Sequence, residues 1–258
     1  MTTISEGALL KSLVNNASLN LIEPHIYSVF SDNGVVNPYD TRFGNIYDRV
    51  ACNPLYNRTI WGYSISKFAS FTQGALTSSN KGYVLDLGCG SLAFTAKTYI
   101  QYSDRPVVLT DQSLKMLRIA KSRLTKLNGR VPYNMVFLLA DALQMPFKPN
   151  SFNTIISLNL LHCLDDIEKL LIGLKNVLSE DGRMYFTTLV KGNRIADRYL
   201  TALANAGKLV SRDINQLGTV FAQMNMPIRH DLFGNLAFIY CGIQRQGLPR
   251  PESIRDSQ

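Results

Sequence analysis

Residues 83–92 read YVLDLGCGSL, and this stretch predicts the fold of the chain around it. A short apolar run carries one acid, Asp86, into a turn where Gly88 and Gly90 leave the backbone free of side chains. Such a turn lets a ligand lie against the main chain, and the helix that follows offers free N–H groups at its start. The stretch therefore predicts a strand-to-helix turn that binds a nucleotide-like ligand, although short glycine spacings also occur by chance.

From about residue 80 the chain alternates apolar, strand-like runs with amphipathic segments. This order is typical of a parallel sheet covered by helices on both faces. Gly234 and Asn235 are a two-residue hairpin signal between the last two runs, and residues 179–182 form a turn that ends a helix. Strands are predicted at residues 83–87, 107–110, 135–140, 154–158, 184–190, 228–233 and 236–243, and helices at about 93–101, 113–127, 166–178, 195–206 and 212–224.

The chain before this region has a different pattern. A helix is predicted at residues 5–19, an irregular and aromatic-rich segment at 20–45, and an amphipathic helix at 57–76. The predicted domains are a helical cap that serves as a substrate lid (1–75), a catalytic core (76–243) and a disordered tail (244–258).

The composition limits the class of protein. With 258 residues, 46% of them hydrophobic, the chain can bury one sizeable core. Its four cysteines are widely scattered, so they predict neither a metal site nor a disulfide framework. No segment approaches the roughly 18 apolar residues needed to cross a bilayer, and the first residues lack a signal-peptide pattern. We therefore expect a soluble, cytoplasmic protein with no membrane span and no metal.

The formal net charge of +8 requires a separate interpretation, because basic proteins can bind nucleic acid. Much of the charge lies in one run that alternates with apolar residues at helical spacing. No aromatic residues for base stacking are interleaved, so a solvated helix face is favoured over a nucleic-acid interface. The run consists of Lys115, Arg118, Lys121, Arg123, Lys126 and Arg130.

Polar side chains follow four consecutive predicted strands. Asp86 and the glycine turn end the first, Asp111 the second and Asp141 the third, and Asn159 and His162 follow the fourth. Ligands of open parallel sheets bind beyond the carboxyl ends of the strands. These residues are therefore the candidates for a ligand site.

Four segments together resemble the successive motifs of class I S-adenosylmethionine-dependent methyltransferases. They are VLDLGCG, LTDQSLKMLRIAK, ADALQMPFKPNSFNTIISLNLLHCLDD and LKNVLSEDGRMYFTTL. The likeness covers about residues 80–190 and is nearest to the branch that contains ubiquinone and menaquinone biosynthesis enzymes and many small-molecule methyltransferases. The upstream segment IYDRVACNPLYN is similar to the leading helix of that branch. The resemblance implies an α/β, Rossmann-like, mostly parallel seven-stranded sheet with an antiparallel last strand, helices on both faces and a helical N-terminal cap.

The resemblance also implies roles for individual residues. Asp86 would hold the methionine amino group of S-adenosylmethionine, directly or through water. Asp111, 25 residues later, would accept hydrogen bonds from both ribose hydroxyls, as an ionised carboxylate does well. Asp141, with the backbone of Ala142 and Leu143, would lie at the adenine edge. The implied cofactor-binding residues are Asp86, Leu87, Gly88, Cys89, Gly90, Asp111, Gln112, Met116, Asp141, Ala142, Leu143, Asn159 and Leu160.

Leu92 departs from the family pattern, because it stands where a third glycine is usual. We expect an ordinary backbone conformation there and a side chain that occupies space near the amino-acid end of the cofactor. This departure leaves open a protein that binds S-adenosylmethionine without transferring its methyl group.

Two further interpretations stay open. The basic charge allows an RNA methyltransferase, although SLNLLHC replaces the Asn/Asp-Pro-Pro-aromatic motif of adenine-modifying enzymes. Gly88, Gly90 and Ala93 also fit the dinucleotide pattern, with Asp111 on the ribose of NAD, which would make the protein an oxidoreductase.

For methyl transfer from a sulfonium, the protein mainly has to align the donor with the acceptor, exclude water from the pocket and remove a proton from the acceptor. His162 is the first candidate for the base, because the resemblance puts it at the methyl end, and a purely structural role is its alternative. His25 and Tyr47 in the cap are further candidates. The aromatic residues of the cap favour an apolar or aromatic small-molecule acceptor, and the sequence predicts no oligomeric state.

Overall fold

The computed structural model describes residues 6–15, 17–30, 53–78, 81–192 and 196–242. Within these ranges nine strands form one sheet in the order β1-β2-β5-β4-β3-β6-β7-β9-β8. The pairs from β2 through β7 are parallel, whereas β1–β2, β7–β9 and β9–β8 are antiparallel. The strands are β1 (Asn20–Glu23), β2 (Ile26–Ser28), β3 (Val84–Leu87), β4 (Val107–Asp111), β5 (Met135–Leu139), β6 (Phe152–Leu158), β7 (Leu178–Leu189), β8 (Ile228–Phe233) and β9 (Leu236–Gly242).

Eight helices lie between these strands in the described ranges, together with a π-helix and a 3₁₀ turn. Four of them begin at a side-chain cap, because the side chains of Asn53, Ser113, Asp166 and Asp213 each accept a backbone N–H of the first turn. The helices are α1 (Glu6–Leu13), α2 (Pro54–Tyr56), α3 (Ser66–Thr77), α4 (Ala96–Tyr102), α5 (Leu114–Asn128), α6 (Ile167–Val177), α7 (Ala196–Asn205) and α8 (Ile214–Gln223), with the π-helix at Asn57–Trp61 and the 3₁₀ turn at Leu161–Cys163.

The mostly parallel α/β fold is confirmed, and β3 to β9 correspond to the seven predicted strands. The predicted strand count is wrong, because a hairpin of β1 and β2 adds two strands beside β5. Residues 20–28 are therefore part of the sheet and not an irregular part of a helical cap. Both strands are short, and Leu21 and Ile22 are exposed on the edge strand, so no alternation of buried and exposed residues marks them. Their position is determined by pairing with β5, more than 100 residues away.

Two helix predictions and one turn prediction also need correction. The first helix ends at Leu13, not at residue 19. The helix predicted at 57–76 is interrupted at Gly62, whose left-handed φ of 75° ends the π-helix before α3 begins. The predicted turn at 179–182 is an irregularity inside β7: Leu178 pairs with Phe152, and Arg183 already pairs with Thr154. The strand thus absorbs the extra residues as a bulge.

Two buried clusters cover the faces of the sheet. On β3, Leu85 and Leu87 belong to one cluster and Val84 to the other, as the alternation of a strand requires. Asp86 therefore lies on the same face as Val84, the face covered by α3, α4 and α5. The cap residues 31–52 and the tail 243–258 lie outside the described ranges, so the predicted lid and the predicted disorder stay predictions.

Candidate functional site

The glycine turn after β3 keeps the backbone open to a ligand. Gly88 and Gly90 have left-handed φ values of 71° and 55°. A Cβ atom added to Gly88 would meet the side chain of Leu160 at 3.2 Å. A Cβ on Gly90 would meet no atom of the described chain within 4 Å. The main chain at Gly90 therefore faces a space that a ligand can enter.

The backbone conformation at Leu92 is not the one that a leucine favours. Its φ is 54°, in the left-handed region that a glycine would adopt at this position, so the expectation of an ordinary conformation is wrong. The side chain is 2% exposed and packs in the buried cluster below α4 and α5. A left-handed non-glycine residue costs about 1–2 kcal/mol, and burying a leucine side chain contributes about 1.5–3 kcal/mol. The buried side chain thus offsets the strain and preserves the shape of the turn.

Asp86 is a buried carboxylate, 1% exposed, with its two oxygens in different surroundings. Oδ2 accepts a hydrogen bond from the Tyr99 hydroxyl at 2.7 Å. Oδ1 accepts no hydrogen bond from any of the described residues. The pKa of Asp86 is raised to about 7, because burial and the nearby Asp111 carboxylate raise it by more than the Tyr99 hydrogen bond lowers it. A cationic donor at Oδ1 would satisfy this oxygen and stabilise the ionised form, so the ammonium group of S-adenosylmethionine fits here.

Asp111, at the carboxyl end of β4, joins the glycine turn to the start of α5. Its Oδ2 accepts the Gly90 N–H at 2.9 Å and its Oδ1 accepts the Ser113 N–H at 2.8 Å. The N–H of Cys89 donates to the Thr110 carbonyl at 2.8 Å. Each carboxylate oxygen can accept more than one hydrogen bond, so the geometry is compatible with ribose hydroxyls as further donors.

Asp141 lies after β5, the strand beside β4, and so at the same edge of the sheet as Asp86 and Asp111. The Ala140 N–H donates to the Asp111 carbonyl at 3.1 Å, which holds the ends of β4 and β5 together. Asp141 Oδ1 accepts the Leu143 N–H at 2.9 Å and so shapes the turn through Ala142. At the start of α5, Gln112 is partly buried and Met116 is buried. The structure thus brings together the residues predicted for the ribose and adenine parts of a nucleoside.

On the other side of β3, the segment after β6 reaches the glycine turn through Leu160. Asn159 has a left-handed φ of 59°, and its N–H donates to the Thr187 carbonyl of β7 at 2.8 Å. Its Oδ1 accepts the Thr187 hydroxyl at 3.2 Å. These contacts orient the end of β6 toward Gly88.

His162 is buried behind this segment, 7% exposed. Its Nδ1 accepts the Leu189 N–H at 3.2 Å and lies 3.1 Å from the Thr188 hydroxyl. Because Nδ1 is an acceptor, the neutral ring carries its proton on Nε2. Burial and, to a smaller extent, the nearby Arg212 guanidinium lower the pKa of His162 to about 4. The imidazole is therefore neutral at physiological pH and uses its Nδ1 lone pair to hold β7.

His25 lies apart from these residues. It precedes β2 at the level of Val136, and its Nδ1 contacts the carboxylate of Glu6 in α1. Asp141 is five residues after Val136 and just beyond the end of β5, which corresponds to about 17 Å at the rise of a strand. The structure thus separates His25 from the carboxyl edge of the sheet. Tyr47 lies outside the described residues.

Part of the basic run on α5 forms ion pairs and hydrogen bonds within the protein. Arg118 and Lys121 both pair with Glu23 of β1, at 3.0 and 3.1 Å. Arg123 donates to the carbonyl of Ser91 and so fixes the glycine turn. Sequence reasoning missed this contact, the Glu23 pair and the Tyr99 hydroxyl. No local pattern could have found them, because tyrosine and arginine on a helix indicate only its apolar and solvated sides.

Among the described residues, no group of three or more His, Cys, Asp or Glu side chains could hold a metal ion. In the same part of the chain, no helix is long and apolar enough to cross a membrane.

Comparisons with known proteins relate this chain to methyltransferases. A family model described as a methyltransferase domain matches residues 78–227, more than half of the 258 residues. A curated relative, the reducing polyketide synthase Preu2 of Preussia isomera, is 27% identical over 107 residues. The match spans 42% of this chain and 5% of that protein's length.

Two solved structures share the fold at low sequence identity. The complex between the Haloferax volcanii Trm112 methyltransferase activator and a putative methyltransferase matches with a TM-score of 0.61 and 12% identity, over 82% of this chain and 100% of that chain. The geranyl diphosphate C-methyltransferase of Streptomyces coelicolor A3(2), solved with Mg2+, geranyl diphosphate and S-adenosyl-L-homocysteine, matches with a TM-score of 0.55 and 11% identity. That match covers 68% of this chain and 77% of the Streptomyces chain.

Proposed function

Because this chain belongs to the class I S-adenosylmethionine-dependent methyltransferases, we propose that it methylates a small-molecule acceptor with apolar or aromatic character. The observation that carries the cofactor site is the buried Asp86 Oδ1, which has no hydrogen-bond donor among the described residues and lies beside the glycine turn. The likeness to the quinone-biosynthesis branch remains a prediction.

In this proposal each part of the cofactor has its own residues. Asp86 binds the ammonium group, the backbone at Gly88 and Gly90 lies along the amino-acid part, and Asp111 binds the ribose. Asp141 and the turn after it border the adenine. The bound cofactor supplies an electrophilic sulfonium methyl group, whose positive charge disappears during transfer. The residues of this chain therefore act by alignment and by exclusion of water.

We do not assign the general base to either histidine. The Nδ1 atom of His162 already accepts the Leu189 N–H, and burial keeps its pKa at about 4, so it is a weak proton acceptor at neutral pH. It is better suited to hold β6 against β7. His25 is too far from the carboxyl edge, and Tyr47 stays a prediction.

An aromatic cluster at the carboxyl end of β7 supports an apolar or aromatic acceptor. The Trp61 and Tyr199 rings lie 5.5 Å apart, and the Tyr56 hydroxyl donates to the Tyr199 hydroxyl at 3.2 Å. Asn235 fixes this cluster to the sheet: its N–H donates to the Trp61 carbonyl and its side chain donates to the Val190 carbonyl directly after β7. Tyr199 is 43% exposed, so part of this side chain is accessible to a ligand.

The chemistry of the relatives points in the same direction. Preu2 is a reducing polyketide synthase and the Streptomyces enzyme is a geranyl diphosphate C-methyltransferase, so both names refer to small-molecule chemistry. These substrates belong to those proteins, and for this chain they support only the class of acceptor.

A nucleic-acid substrate is less well supported. Two cations of the α5 run are paired with Glu23 on the edge strand β1, and Arg123 is bonded within the protein. In the strand order, β1 is five positions from β6, about 24 Å at the spacing of neighbouring strands. The paired part of the basic face therefore lies far from the proposed methyl-transfer end.

One labelling experiment tests the proposal. The protein is incubated with methyl-labelled S-adenosylmethionine and either a small-molecule extract or total RNA, with the Asp111→Ala variant as the control for background transfer. We expect label in the small-molecule fraction with the unaltered protein alone. Label in RNA alone would overturn the acceptor class, and calorimetric binding of NAD without binding of S-adenosylmethionine would overturn the cofactor site.

A further inference from the structure

The hydroxyl of Tyr99 forms a hydrogen bond with the carboxylate of Asp86. Tyr99 lies on α4, is fully buried, and donates its hydroxyl to Asp86 Oδ2 at 2.7 Å. The residue is 13 positions after Asp86, on the face of the sheet to which Asp86 points. The resemblance to known methyltransferases assigns no role to this tyrosine.

The hydrogen bond makes the two oxygens of Asp86 different. A carboxylate can turn about its Cβ–Cγ bond and exchange its oxygens, but a buried donor on one oxygen restricts that rotation. With Oδ2 held by Tyr99, Oδ1 is the oxygen left for a ligand, and it has no donor within the described ranges. The direction in which Asp86 can bind is thus determined by α4.

The electrostatic surroundings of Asp86 make this hydrogen bond important for its charge. The groups that face the carboxylate are the Tyr99 hydroxyl from α4, the Asp111 carboxylate from the end of β4 and the Cys89 thiol from the glycine turn. In the described part of the chain, none of the groups acting on Asp86 is a cation. Burial and Asp111 both favour the protonated acid, and the tyrosine hydrogen bond alone opposes them.

We propose that Tyr99 is a positioning residue for cofactor binding, whose hydroxyl holds Oδ2 of Asp86 and directs Oδ1 at the ammonium group of S-adenosylmethionine. The inference rests on the proposed function of Asp86. Only an ionised Asp86 pairs well with the ammonium group, so affinity should rise with pH until the carboxyl group is fully ionised. Since the pKa of Asp86 is about 7, the carboxyl group is half ionised at pH 7, and we expect affinity to level off above about pH 8.

The test uses Tyr99→Phe, which removes the hydroxyl and keeps the ring. Losing a hydrogen bond to a charged group should move the pH at which affinity levels off upward by about one unit. At pH 7 the ionised fraction then falls from one half to about one tenth, so S-adenosylhomocysteine should bind about fivefold more weakly. Tyr102→Phe is the matched control, because Tyr102 lies on the same helix and is 40% exposed. It should not change the profile.

Calorimetry from pH 6 to 9 measures these affinities for S-adenosylhomocysteine and for 5′-methylthioadenosine, which lacks the amino-acid part. The amino group of the longer ligand titrates identically with every variant, so differences between variants report on Asp86. Tyr99→Phe should leave the affinity for 5′-methylthioadenosine unchanged, and this unchanged binding also shows that the variant is folded.

The outcomes separate the two proposals. A Tyr99→Phe profile that coincides with the wild-type profile would overturn the positioning role, even if the variant were less stable. An equal loss for both ligands would also overturn it, because it would indicate a merely structural role. Failure of the wild-type protein to bind either ligand would instead overturn the proposed cofactor site.

Discussion

Asp86→Asn should make the cofactor-free protein more stable at pH 8 while abolishing its binding of S-adenosylmethionine. The substitution replaces a buried carboxylate, 1% exposed, by a neutral group of the same shape. In the wild type the folded-state pKa is about 7, whereas an unfolded aspartate has a pKa of about 3.9. The folded state therefore binds more protons than the unfolded state between these values. By linkage, the wild type loses stability as the pH rises through this interval.

The size of the effect follows from these two pKa values. Between pH 4.5 and pH 8 the titration of Asp86 lowers the free energy of unfolding by about 3 kcal/mol, at 1.36 kcal/mol per pKa unit. The variant lacks this loss, but its amide nitrogen at the Oδ1 position is a buried donor without an acceptor, which costs about 1–3 kcal/mol at every pH. The stability difference between variant and wild type should thus shift by about 3 kcal/mol in favour of the variant from pH 4.5 to pH 8.

Urea denaturation of both proteins without cofactor, at pH 4.5 and pH 8, measures this shift. The comparison removes the contributions of His162 and other groups, because they titrate identically in the two proteins. Asp141→Asn is the matched control, since it makes the same exchange on a half-buried carboxylate at the same edge of the sheet, after the end of β5. A stability difference for Asp86→Asn that stays constant within about 1 kcal/mol across the two pH values would refute the reasoning from linkage.

Three further variants test individual parts of the site. Leu92→Gly relieves the left-handed strain but loses a buried side chain, so urea denaturation should show a free energy of unfolding lower by about 1–3 kcal/mol. Calorimetry should show unchanged cofactor affinity. A marked loss of affinity would mean that the Leu92 side chain does more than pack. Asp111→Ala removes an acceptor of the proposed ribose hydrogen bonds and should weaken cofactor binding at least about tenfold; unchanged affinity would contradict the ribose role. In the wild type, the lowered pKa of His162 (about 4) makes stability fall as the pH drops below about 6.5, by up to about 3 kcal/mol at full protonation. His162→Asn keeps an acceptor for the Leu189 N–H and should lose part of this acid sensitivity in urea denaturation, while retaining methyl transfer; loss of all transfer in a folded variant would support a catalytic base.

Much of the site could be predicted from local sequence. Asp86, Asp111 and Asp141 were identified because each follows or ends an apolar run, and parallel strands bring their carboxyl ends to one edge. The glycines of the turn were identified for a comparable reason, since their left-handed conformations are rare for other residues. The strands β3 to β9 and the approximate starts of α5 and α6 follow from patterns a few residues long.

Where prediction failed, distant contacts decide the structure. Leu92 adopts a glycine-like φ because the buried cluster holds its side chain, and residue type alone gave the opposite expectation. The β1–β2 hairpin is fixed by pairing with β5, and His25 lies away from the carboxyl edge for the same reason.

The sequence by itself thus determined the α/β order and the set of acids at the strand ends, because these depend on periodicity and on a few residues at each turn. Only the tertiary structure decided the state of those acids. Burial raises the pKa of Asp86, and a tyrosine 13 residues away holds one of its oxygens and leaves the other without a donor in the described chain. Burial and hydrogen bonding depend on how α4 packs on the sheet, and no local pattern encodes that packing.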